Sequence, residues 1–426
     1  MKIRCIKRDY EKVAALPRPK HKNPWKPNFL IHSLIRLISL PDLWAVKFSY
    51  TTDGMEKIGK KEPCLILMNH SSFLDMEIAN RVLYPRRYGI VTTTDAFVGM
   101  ELILKLIGCI PTRKYVNDIT LIRDMEFMLK KRRSSVLMYP EAGYSMDGTG
   151  TPLPRKMGVL LKKLGVPVVM IKTEGAFTRQ PLYNSLRKRK VQVSAKVTCL
   201  ATAQEVQEKT VAELDAILEN AFDYDHFRWQ QENGIVVDHP ERATDLNRIL
   251  YKCAHCGEEG KMEGLGTTIT CHACGKTWEL TEQGKLRALE GETEYDHIPD
   301  WYAWQRQEVR KELENGTYQL DADVDIGMLL DYKALYMVGS GRLVHDENGF
   351  TLTGCDGKLQ YHHPALASYS LNADYYWYEI GDIISIGTAD ALYYCFPKGG
   401  DAVAKTRLAA EELYKLKKQR KTKAAE

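Results

Sequence analysis

A histidine and an aspartate lie close together where the sequence changes from apolar to polar. His70 and Asp75 belong to the stretch 69–75, which follows the apolar run 64–68, a predicted buried strand. A carboxylate at this spacing can accept a hydrogen bond from one imidazole nitrogen, which leaves the other nitrogen free to take a proton. His70 is therefore the candidate general base and Asp75 its orienting partner. The nucleophilic hydroxyl would have to come from the substrate.

The same residues are also compatible with a purely structural role. Residues 76–80 predict the start of a helix, so Asp75 or Ser72 would cap it and His70 would be a hydrogen-bonded loop residue. A single histidine–aspartate pair does not distinguish a catalytic loop from a capped helix, because both use the same residue types.

Four cysteines form a second cluster, arranged as two Cys-x-x-Cys motifs. They are Cys253, Cys256, Cys271 and Cys274, with 14 residues between the two motifs. Four thiolates at this spacing complete the tetrahedral ligand set of a structural zinc ion, so we predict Zn²⁺ as the cofactor. A thioredoxin-type redox pair, the alternative, needs only one such motif. Because acidic residues surround the motifs, we expect a spacer or docking role for this zinc ribbon and no nucleic-acid partner.

Three later stretches combine predicted strands with polar turns. Residues 107–113 place Arg113 at the end of a strand, and residues 136–145 run from an apolar strand into an acidic turn that contains Glu141. Residues 165–171 predict a further strand. A strand that leads into a loop at its carboxyl end is the usual position for chemistry in an α/β domain.

In this order and spacing, the four stretches resemble the motifs of the glycerophospholipid acyltransferase family, the group that contains the lysophosphatidic acid acyltransferases. That family carries Asn-His-x4-Asp, then Gly-x5-Arg, then Pro-Glu-Gly-Thr-Arg-Ser, then Val-Pro followed by apolar residues. The resemblance covers roughly residues 45–200, under half of the chain. It implies transfer of a fatty acyl group from acyl-CoA or acyl carrier protein to a hydroxyl of a lysophospholipid-like acceptor, in phospholipid biosynthesis.

The resemblance also implies roles for individual side chains. Arg113 would bind the acceptor's phosphate, Glu141 would hold the acceptor's glycerol hydroxyls, and backbone donors near Gly143 would stabilise the oxyanion. One position departs from the family pattern, because Tyr144 stands where the third motif has an arginine. Arg113, helped by Lys156, would then carry the phosphate, or the acceptor would bear a bulkier diester headgroup with room for the tyrosine.

The missing arginine also supports a different class of function. In that interpretation residues 45–235 would be a catalytically degenerate unit that only binds lipid, and the C-terminal parts would recruit a protein or nucleic-acid partner. The intact pair of His70 and Asp75 opposes it, because a scaffold has no need of an oriented base. An assay for acyl transfer separates the two hypotheses.

The elements that must position these residues follow an alternating pattern. Residues 45–200 alternate predicted strands and helices, which favours an α/β fold with a mainly parallel sheet and helices on both faces. Polar helices follow, so residues 45–235 would form the acyltransferase domain that the resemblance implies. Residues 236–285 hold the zinc ribbon. Residues 286–426 predict a helix at 300–313, several short strands and a last helix at 401–418. This β-rich unit is reminiscent of a pleckstrin-homology-like barrel.

The N-terminal residues 1–44 predict contact with an anionic membrane surface. Residues 1–26 form a basic arm that anionic lipid headgroups would attract. Residues 29–40 predict an amphipathic helix that is too short to span a bilayer and fits an in-plane position at the interface. The alternatives are a solvated arm and a helix packed on the catalytic domain.

Length and composition set broader limits. A chain of 426 residues has room for two or three domains, and its mild net charge of +5 does not indicate a particular partner. Ten cysteines, four of them in one cluster, favour a reducing compartment. We expect no signal peptide, because the first 26 residues contain no apolar segment. The sequence thus predicts a peripheral enzyme at the cytoplasmic face of a membrane.

Overall fold

The computed structural model describes residues 2–116, 118–399 and 402–423. Over these residues the chain forms three units, each with its own sheet. We name them the α/β domain (residues 49–232), the ribbon (residues 251–288) and the C-terminal unit (residues 298–399 and 402–423).

The first residues are part of the C-terminal unit. Strand β1 (Cys5–Lys7) pairs in parallel with residues 335–337 of that unit. Helix α1 (Tyr10–Ala14) follows, and its Val13 is fully buried in the same hydrophobic core. The alternative of a solvated arm is therefore wrong for residues 5–14, because backbone pairing and side-chain burial hold this segment on the sheet. The attraction of the basic residues to anionic lipid stays a prediction.

Helices α2 (Phe29–Ile38) and α3 (Leu40–Ala45) come next, and α2 turns its polar stripe inward. His32 is buried with its Nε2 2.9 Å from the carbonyl oxygen of Ile107, and Ser39 is also buried. The large apolar residues of α2 that face solvent are Leu30, Leu34, Leu37 and Ile38. None of the helices in the described part of the chain combines the length and the apolar character that a membrane crossing requires.

A seven-stranded sheet forms the centre of the α/β domain. Its strands are β2 (Ser49–Asp53), β3 (Leu65–Met68), β4 (Tyr88–Thr93), β5 (Ile110–Thr112), β6 (Ser135–Met138), β7 (Val168–Glu174) and β8 (Ser194–Ala201). Their order across the sheet is β2-β8-β7-β3-β6-β4-β5. The sheet is mixed, because β7 and β8 pair antiparallel while the other neighbouring pairs run parallel.

Helices cover both faces of this sheet. They are α4 (Leu74–Leu83), α5 (Glu101–Ile107), α6 (Ile119–Glu126, continued by a π-helical turn to Lys131), α7 (Met157–Leu164), α8 (Ala176–Arg179), α9 (Ala203–Glu208), α10 (Val211–Ala221) and α11 (His226–Glu232). Successive side chains of a strand point to opposite faces. Accordingly, Ile66 of β3 packs in one core with Ile78 of α4, and Leu67 packs in another with Leu161 of α7.

The ribbon is a four-stranded antiparallel sheet with the order β12-β11-β10-β9. Its strands are β9 (Met262–Leu265), β10 (Thr268–Cys271), β11 (Thr277–Leu280) and β12 (Leu286–Ala288). Trp278 of β11 is fully buried, and its ring meets that of Trp301 edge-on at 5.0 Å. The ribbon is thereby joined to the helix that follows it.

That helix opens the C-terminal unit. The unit comprises α12 (Ile298–Asn315), β13 (Leu320–Leu329), β14 (Leu335–Asp346), β15 (Gly349–Gly354), β16 (Leu359–Pro364), β17 (Asn372–Trp377), β18 (Gly381–Gly387), β19 (Leu392–Pro397) and α13 (Val403–Lys423). The strands pair antiparallel in the order β16-β15-β14-β13-β19-β18-β17. The predicted start of the last helix, Asp401, lies outside the described residues. The likeness to a pleckstrin-homology barrel stays a prediction.

One apolar core extends across all three units. A single cluster of buried residues contains Phe177 and Phe227 of the α/β domain, Trp278 of the ribbon, Val338 of β14 and Leu408 of α13. Each of the three units has its own sheet, but the units pack against one another through this core. As a result, residues distant in sequence reach the loops at the end of the parallel strands.

Candidate active site

His70 and Asp75 form a hydrogen-bonded pair in the loop between β3 and α4. Nδ1 of His70 lies 3.0 Å from Oδ2 of Asp75, which also accepts the backbone N–H of Ser71 at 2.8 Å and of Ser72 at 3.1 Å. Asp75 stands in the first turn of α4, where the helix dipole stabilises a carboxylate. This arrangement favours a proton on Nδ1 and leaves Nε2 as the basic nitrogen of His70.

Two tyrosine rings hold the imidazole between them. The ring centroids of Tyr139 and Tyr144 lie 4.1 Å and 4.0 Å from that of His70, with interplanar angles of 26° and 30°. Phe73 meets Tyr144 edge-on at 5.8 Å. The side chain of His70 keeps 19% of its surface exposed. The stacked rings fix the plane of the imidazole and exclude most water from it.

The surroundings of His70 favour its neutral form. Burial lowers the pKa of His70 from its ordinary value, the hydrogen bond and charge of Asp75 partly oppose this, and the charge of Lys114 lowers the pKa further. A neutral imidazole with a free Nε2 is the form that a general base needs at neutral pH.

Glu141 is fully buried and holds the loop of His70 in place. Its Oε2 accepts the backbone N–H of His70 at 3.0 Å, and its Oε1 accepts the backbone N–H of Thr151 at 2.8 Å and the hydroxyl of Tyr224 at 2.8 Å. Burial raises the pKa of Glu141 to about 7, although these donors oppose the shift. Because both carboxylate oxygens bind protein groups, the structure supports a positioning role. The predicted contact of Glu141 with acceptor hydroxyls stays a prediction.

The other predicted binding residues do not all reach His70. Gly143 is buried in the turn after β6, next to the hydroxyl of Tyr115, and its predicted oxyanion role stays a prediction. Arg113 follows β5 and is half-buried; its charge acts on the hydroxyls of Tyr332 and Tyr394 in the C-terminal unit. The phosphate contact predicted for Arg113 would thus lie where the α/β domain meets the C-terminal unit.

Lys156 lines a different space. It is exposed at the start of α7, on the wall of an open cleft of about 1450 Å³ that extends to Thr151, Tyr224 and His226. His70 is not one of the described residues that line this cleft. Arg113 is also not among the described residues that line this cleft, so the placement of Lys156 gives no support to the prediction that it assists Arg113 at one phosphate.

Several residues near His70 escaped the sequence analysis. Lys114 and Tyr115 follow Arg113 directly, so a search around that motif would have found them. Tyr224 and His226 carry no sequence signal, because the residues they contact, Glu141 and Ser71, lie 83 and 155 positions earlier in the chain. Nε2 of His226 is 3.0 Å from the hydroxyl oxygen of Ser71, and burial lowers the pKa of this histidine to about 3.

The four cysteines of the ribbon come together as predicted from their spacing. The sulfur atoms of Cys253, Cys256, Cys271 and Cys274 all lie within 4.8 Å of one another. Two of the pairs, Cys253 with Cys274 and Cys256 with Cys271, are 3.8 Å apart. A zinc–sulfur bond of about 2.3 Å in a tetrahedron places neighbouring sulfurs about 3.8 Å apart, so this donor set fits zinc.

The two histidines of the motifs point elsewhere. His255 bonds to Glu294 at 2.9 Å and His272 to Glu263 at 2.8 Å. The four cysteine sulfurs would hold the metal ion without the histidines, and such a four-cysteine set is typical of structural zinc. The geometry suits a structural metal rather than a catalytic one.

Comparisons with known proteins agree with the chemistry of this site. Residues 49–172 match the family model for acyltransferases. A 1-acyl-sn-glycerol-3-phosphate acyltransferase of Brassica napus is 31% identical over 134 residues, which is 30% of this chain and 38% of the relative. The match thus spans well under half of that protein. The match to the family model lies within the α/β domain and includes His70, Asp75 and Glu141.

Among solved structures, the 1-acyl-sn-glycerophosphate acyltransferase of Thermotoga maritima is similar over 46% of this chain and 81% of its own. Its sequence identity is 16% and its TM-score 0.35. This structural likeness is too weak to bear on the function of the chain.

Proposed function

We propose that this protein is an O-acyltransferase that moves a fatty acyl group from a thioester donor, acyl-CoA or acyl carrier protein, to a hydroxyl of a lysophospholipid-like acceptor. The observation that carries the proposal is the pair of His70 and Asp75, a neutral imidazole held by a buried carboxylate inside an acyltransferase-family domain. Phospholipid biosynthesis is the pathway class that uses this reaction.

The proposed mechanism uses the substrate's own hydroxyl as the nucleophile. Nε2 of His70 takes the hydroxyl proton as the oxygen attacks the thioester carbonyl, and Asp75 stabilises the resulting imidazolium. Backbone N–H groups near Gly143 donate to the tetrahedral oxyanion. When this intermediate collapses, the carbon–sulfur bond breaks, the thiolate leaves, and the imidazolium returns the proton to it. Zinc in the ribbon stabilises the fold and takes no part in these steps.

The test is an acyl-transfer assay with the full-length protein. Acyl-CoA and acyl carrier protein thioesters are each incubated with lysophosphatidic acid and with a lysophospholipid that carries a diester headgroup, and free thiol and diacyl product are measured. Thiol and product should appear in equal amounts. Binding of lysolipid without turnover would instead support the alternative hypothesis of a catalytically degenerate scaffold that only binds lipid. The stacking of Tyr144 on His70 favours that alternative, because the tyrosine ring covers one face of the imidazole.

The same assay examines the phosphate site. Arg113→Ala is expected to raise KM for phosphate-bearing acceptors by about 10- to 100-fold, because a hydrogen bond to a charged group contributes about 1.5–3 kcal/mol. Lys156→Ala is the matched control, since Lys156 lines the separate cleft, and its KM should stay near that of the parent. Equal effects of the two substitutions would contradict this assignment of the phosphate site.

The exposed side of α2 and its neighbours provides the proposed membrane contact. The exposed apolar residues on α2 to α5 and beside them are Leu30, Leu34, Leu37, Ile38, Trp44, Phe73, Met76, Leu102 and Ile103. Exposed lysines at positions 20, 22 and 26 precede α2 and would attract anionic headgroups, each contributing about 1 kcal/mol. We propose that this face lies on an anionic membrane surface, on the cytoplasmic side, with α2 in the plane of the interface.

Vesicle binding tests this contact. The double substitution Leu34→Glu and Leu37→Glu should weaken co-sedimentation with anionic phospholipid vesicles at least tenfold, because burying each leucine contributes roughly 1.5–3 kcal/mol. Leu265→Glu, at an exposed leucine of the ribbon, is the control and should bind like the parent. Unchanged binding of the double variant would rule out this face as the membrane contact.

A further inference from the structure

One short turn holds the catalytic histidine from three directions. The turn comprises residues 141–146, after β6. The Glu141 carboxylate accepts the backbone N–H of His70, the backbone N–H of Ser145 donates to the His70 carbonyl oxygen at 3.1 Å, and the ring of Tyr144 stacks on the imidazole. A displacement of this turn would therefore move both the backbone and the ring of His70.

The outer side of the turn is held by the C-terminal unit. Nη1 of Arg407, on α13, lies 3.5 Å from the carbonyl oxygen of Tyr144. The hydroxyl of Tyr302, on α12, lies 3.6 Å from the sulfur of Met146. These contacts join residues more than 150 positions apart, so the turn 141–146 connects the catalytic histidine with two C-terminal helices.

A third contact reaches the turn through the α/β domain itself. The hydroxyl of Tyr115 donates to the Glu141 carbonyl oxygen at 3.0 Å, and the ring of Tyr115 meets that of Tyr369 edge-on at 5.4 Å. Tyr369 belongs to the C-terminal unit. The C-terminal unit therefore contacts one end of the turn directly, at Met146, and supports the other end through Tyr115.

Arg407 is itself fixed by a buried ion-pair cluster. It is buried, and its Nε lies 3.3 Å from Oε1 of Glu411, one helical turn further on. Glu411 also accepts the hydroxyl of Ser370 at 2.6 Å and Nη1 of Arg306 at 2.7 Å. Burial raises the pKa of Glu411, but the positive charges of Arg306 and Arg407 have the larger, opposite effect. The pKa of Glu411 is therefore lowered from its ordinary value. The cluster therefore stays ionised and holds the Arg407 guanidinium rigidly.

We propose that Arg407 and Glu411 are positioning residues for acyl transfer, which hold the turn 141–146 and through it the catalytic imidazole. In this view the C-terminal unit completes the active site of the α/β domain and is not an appended module. The inference rests on the proposed acyltransferase function and assigns to that site two residues more than 330 positions away from His70. Neither residue touches the reacting atoms, so both act through the geometry of the turn.

The kinetic test compares two residues of the same helix. Arg407→Met removes the donor to the turn, and a misplacement of about 1 Å can cost about 100-fold in rate. We expect kcat to fall by about that factor with a smaller change in KM. Lys405→Met is the control, since Lys405 pairs with Glu259 at 2.7 Å and Glu312 at 2.8 Å. It should lower thermal stability but leave kcat close to the parent value.

A second measurement does not depend on activity. The imidazole of His70 is titrated by NMR in the full-length parent and in both variants, with His70→Ala identifying the signal. The titratable groups that face this imidazole are Asp75, Lys114, Tyr139 and Tyr144, with Asp374 of β17 beside Tyr144. In Arg407→Met the loosened turn should admit water and move the titration of His70 towards its ordinary midpoint. In Lys405→Met it should match the parent.

The two measurements separate the possible failures. A parent protein without acyl transfer would refute the proposed function, while the titration would still decide whether Arg407 positions His70. A folded Arg407→Met variant with parental kcat and parental titration would overturn the inference. If Arg407→Met does not fold, Ser370→Ala replaces it, because it removes only one donor to Glu411. That variant should change kcat and titration in the same direction by a smaller factor, and parental values would again overturn the inference.

Discussion

Replacing His70 with alanine is expected to reduce acyl transfer by about 10²–10⁴-fold while the protein remains folded, because this is the usual contribution of a general base. His70 is the only histidine among residues 49–172, which match the acyltransferase family model, and its Nδ1 is hydrogen-bonded to the carboxylate of Asp75. The measurement is kcat/KM for product formation, together with the thermal midpoint of unfolding.

A second histidine–aspartate pair supplies the matched control. Nε2 of His21 lies 2.9 Å from Oδ1 of Asp124, and both residues lie outside the turn 141–146 that holds His70. His21→Ala should keep the parental rate, which would show that a histidine–aspartate pair is not sufficient for activity by itself. Near-normal turnover in His70→Ala would mean that another group is the base.

The pH dependence of the parent follows from the same geometry. The base must be unprotonated, and burial lowers the pKa of His70 below its ordinary value. Activity should therefore be retained at pH 6.5 and fall only as the pH drops further. Asp75→Asn should also reduce the rate strongly, because asparagine no longer fixes the proton on Nδ1. An acidic limb centred above pH 6.5 would contradict a desolvated His70 as the base.

Loss of the metal is the second change with a large expected effect. The purified, reduced protein should contain one zinc ion per chain, and Cys253→Ser should lose it. Structural zinc contributes on the order of 10 kcal/mol to the folding of small zinc modules. Residues 251–288 should therefore lose hydrogen-exchange protection and the thermal midpoint should fall, as measured by metal analysis, hydrogen exchange and thermal unfolding.

The structure also indicates how far this effect extends. Trp301 of α12 packs on Trp278 of the ribbon and donates its indole N–H to the Lys252 carbonyl oxygen at 2.9 Å. Helix α12 also carries Arg306, which binds Glu411 in the ion-pair cluster that fixes Arg407. Loosening of the ribbon should therefore lower acyl transfer partly and indirectly, without abolishing it. Cys199→Ser, outside the cluster, is the control and should retain zinc. Reduced parent protein without zinc would refute the assignment of the four cysteines.

The sequence alone was sufficient for the parts of the site that depend on short-range spacing. His70 and Asp75 share one loop, so five positions along the chain set their separation. The two Cys-x-x-Cys motifs likewise present their sulfurs locally, and the structure brings all four together. The alternation of apolar strands and helices also identified the α/β domain, since burial on both faces of a sheet imposes that pattern directly on the sequence.

Tertiary structure alone decided which surfaces meet. The periodicity of α2 revealed an amphipathic helix, but it did not show that His32 and Ser39 face inward. The strand of residues 5–7 pairs with a partner about 330 positions later, and hydrogen bonding of this range leaves no mark on local composition. The partners of Glu141 at Tyr224, and of Tyr144 at Arg407, are of the same kind. Local sequence determines periodicity and loop geometry, whereas the choice of distant partners depends on the simultaneous packing of the whole chain. For this protein, that packing determines how His70 is held.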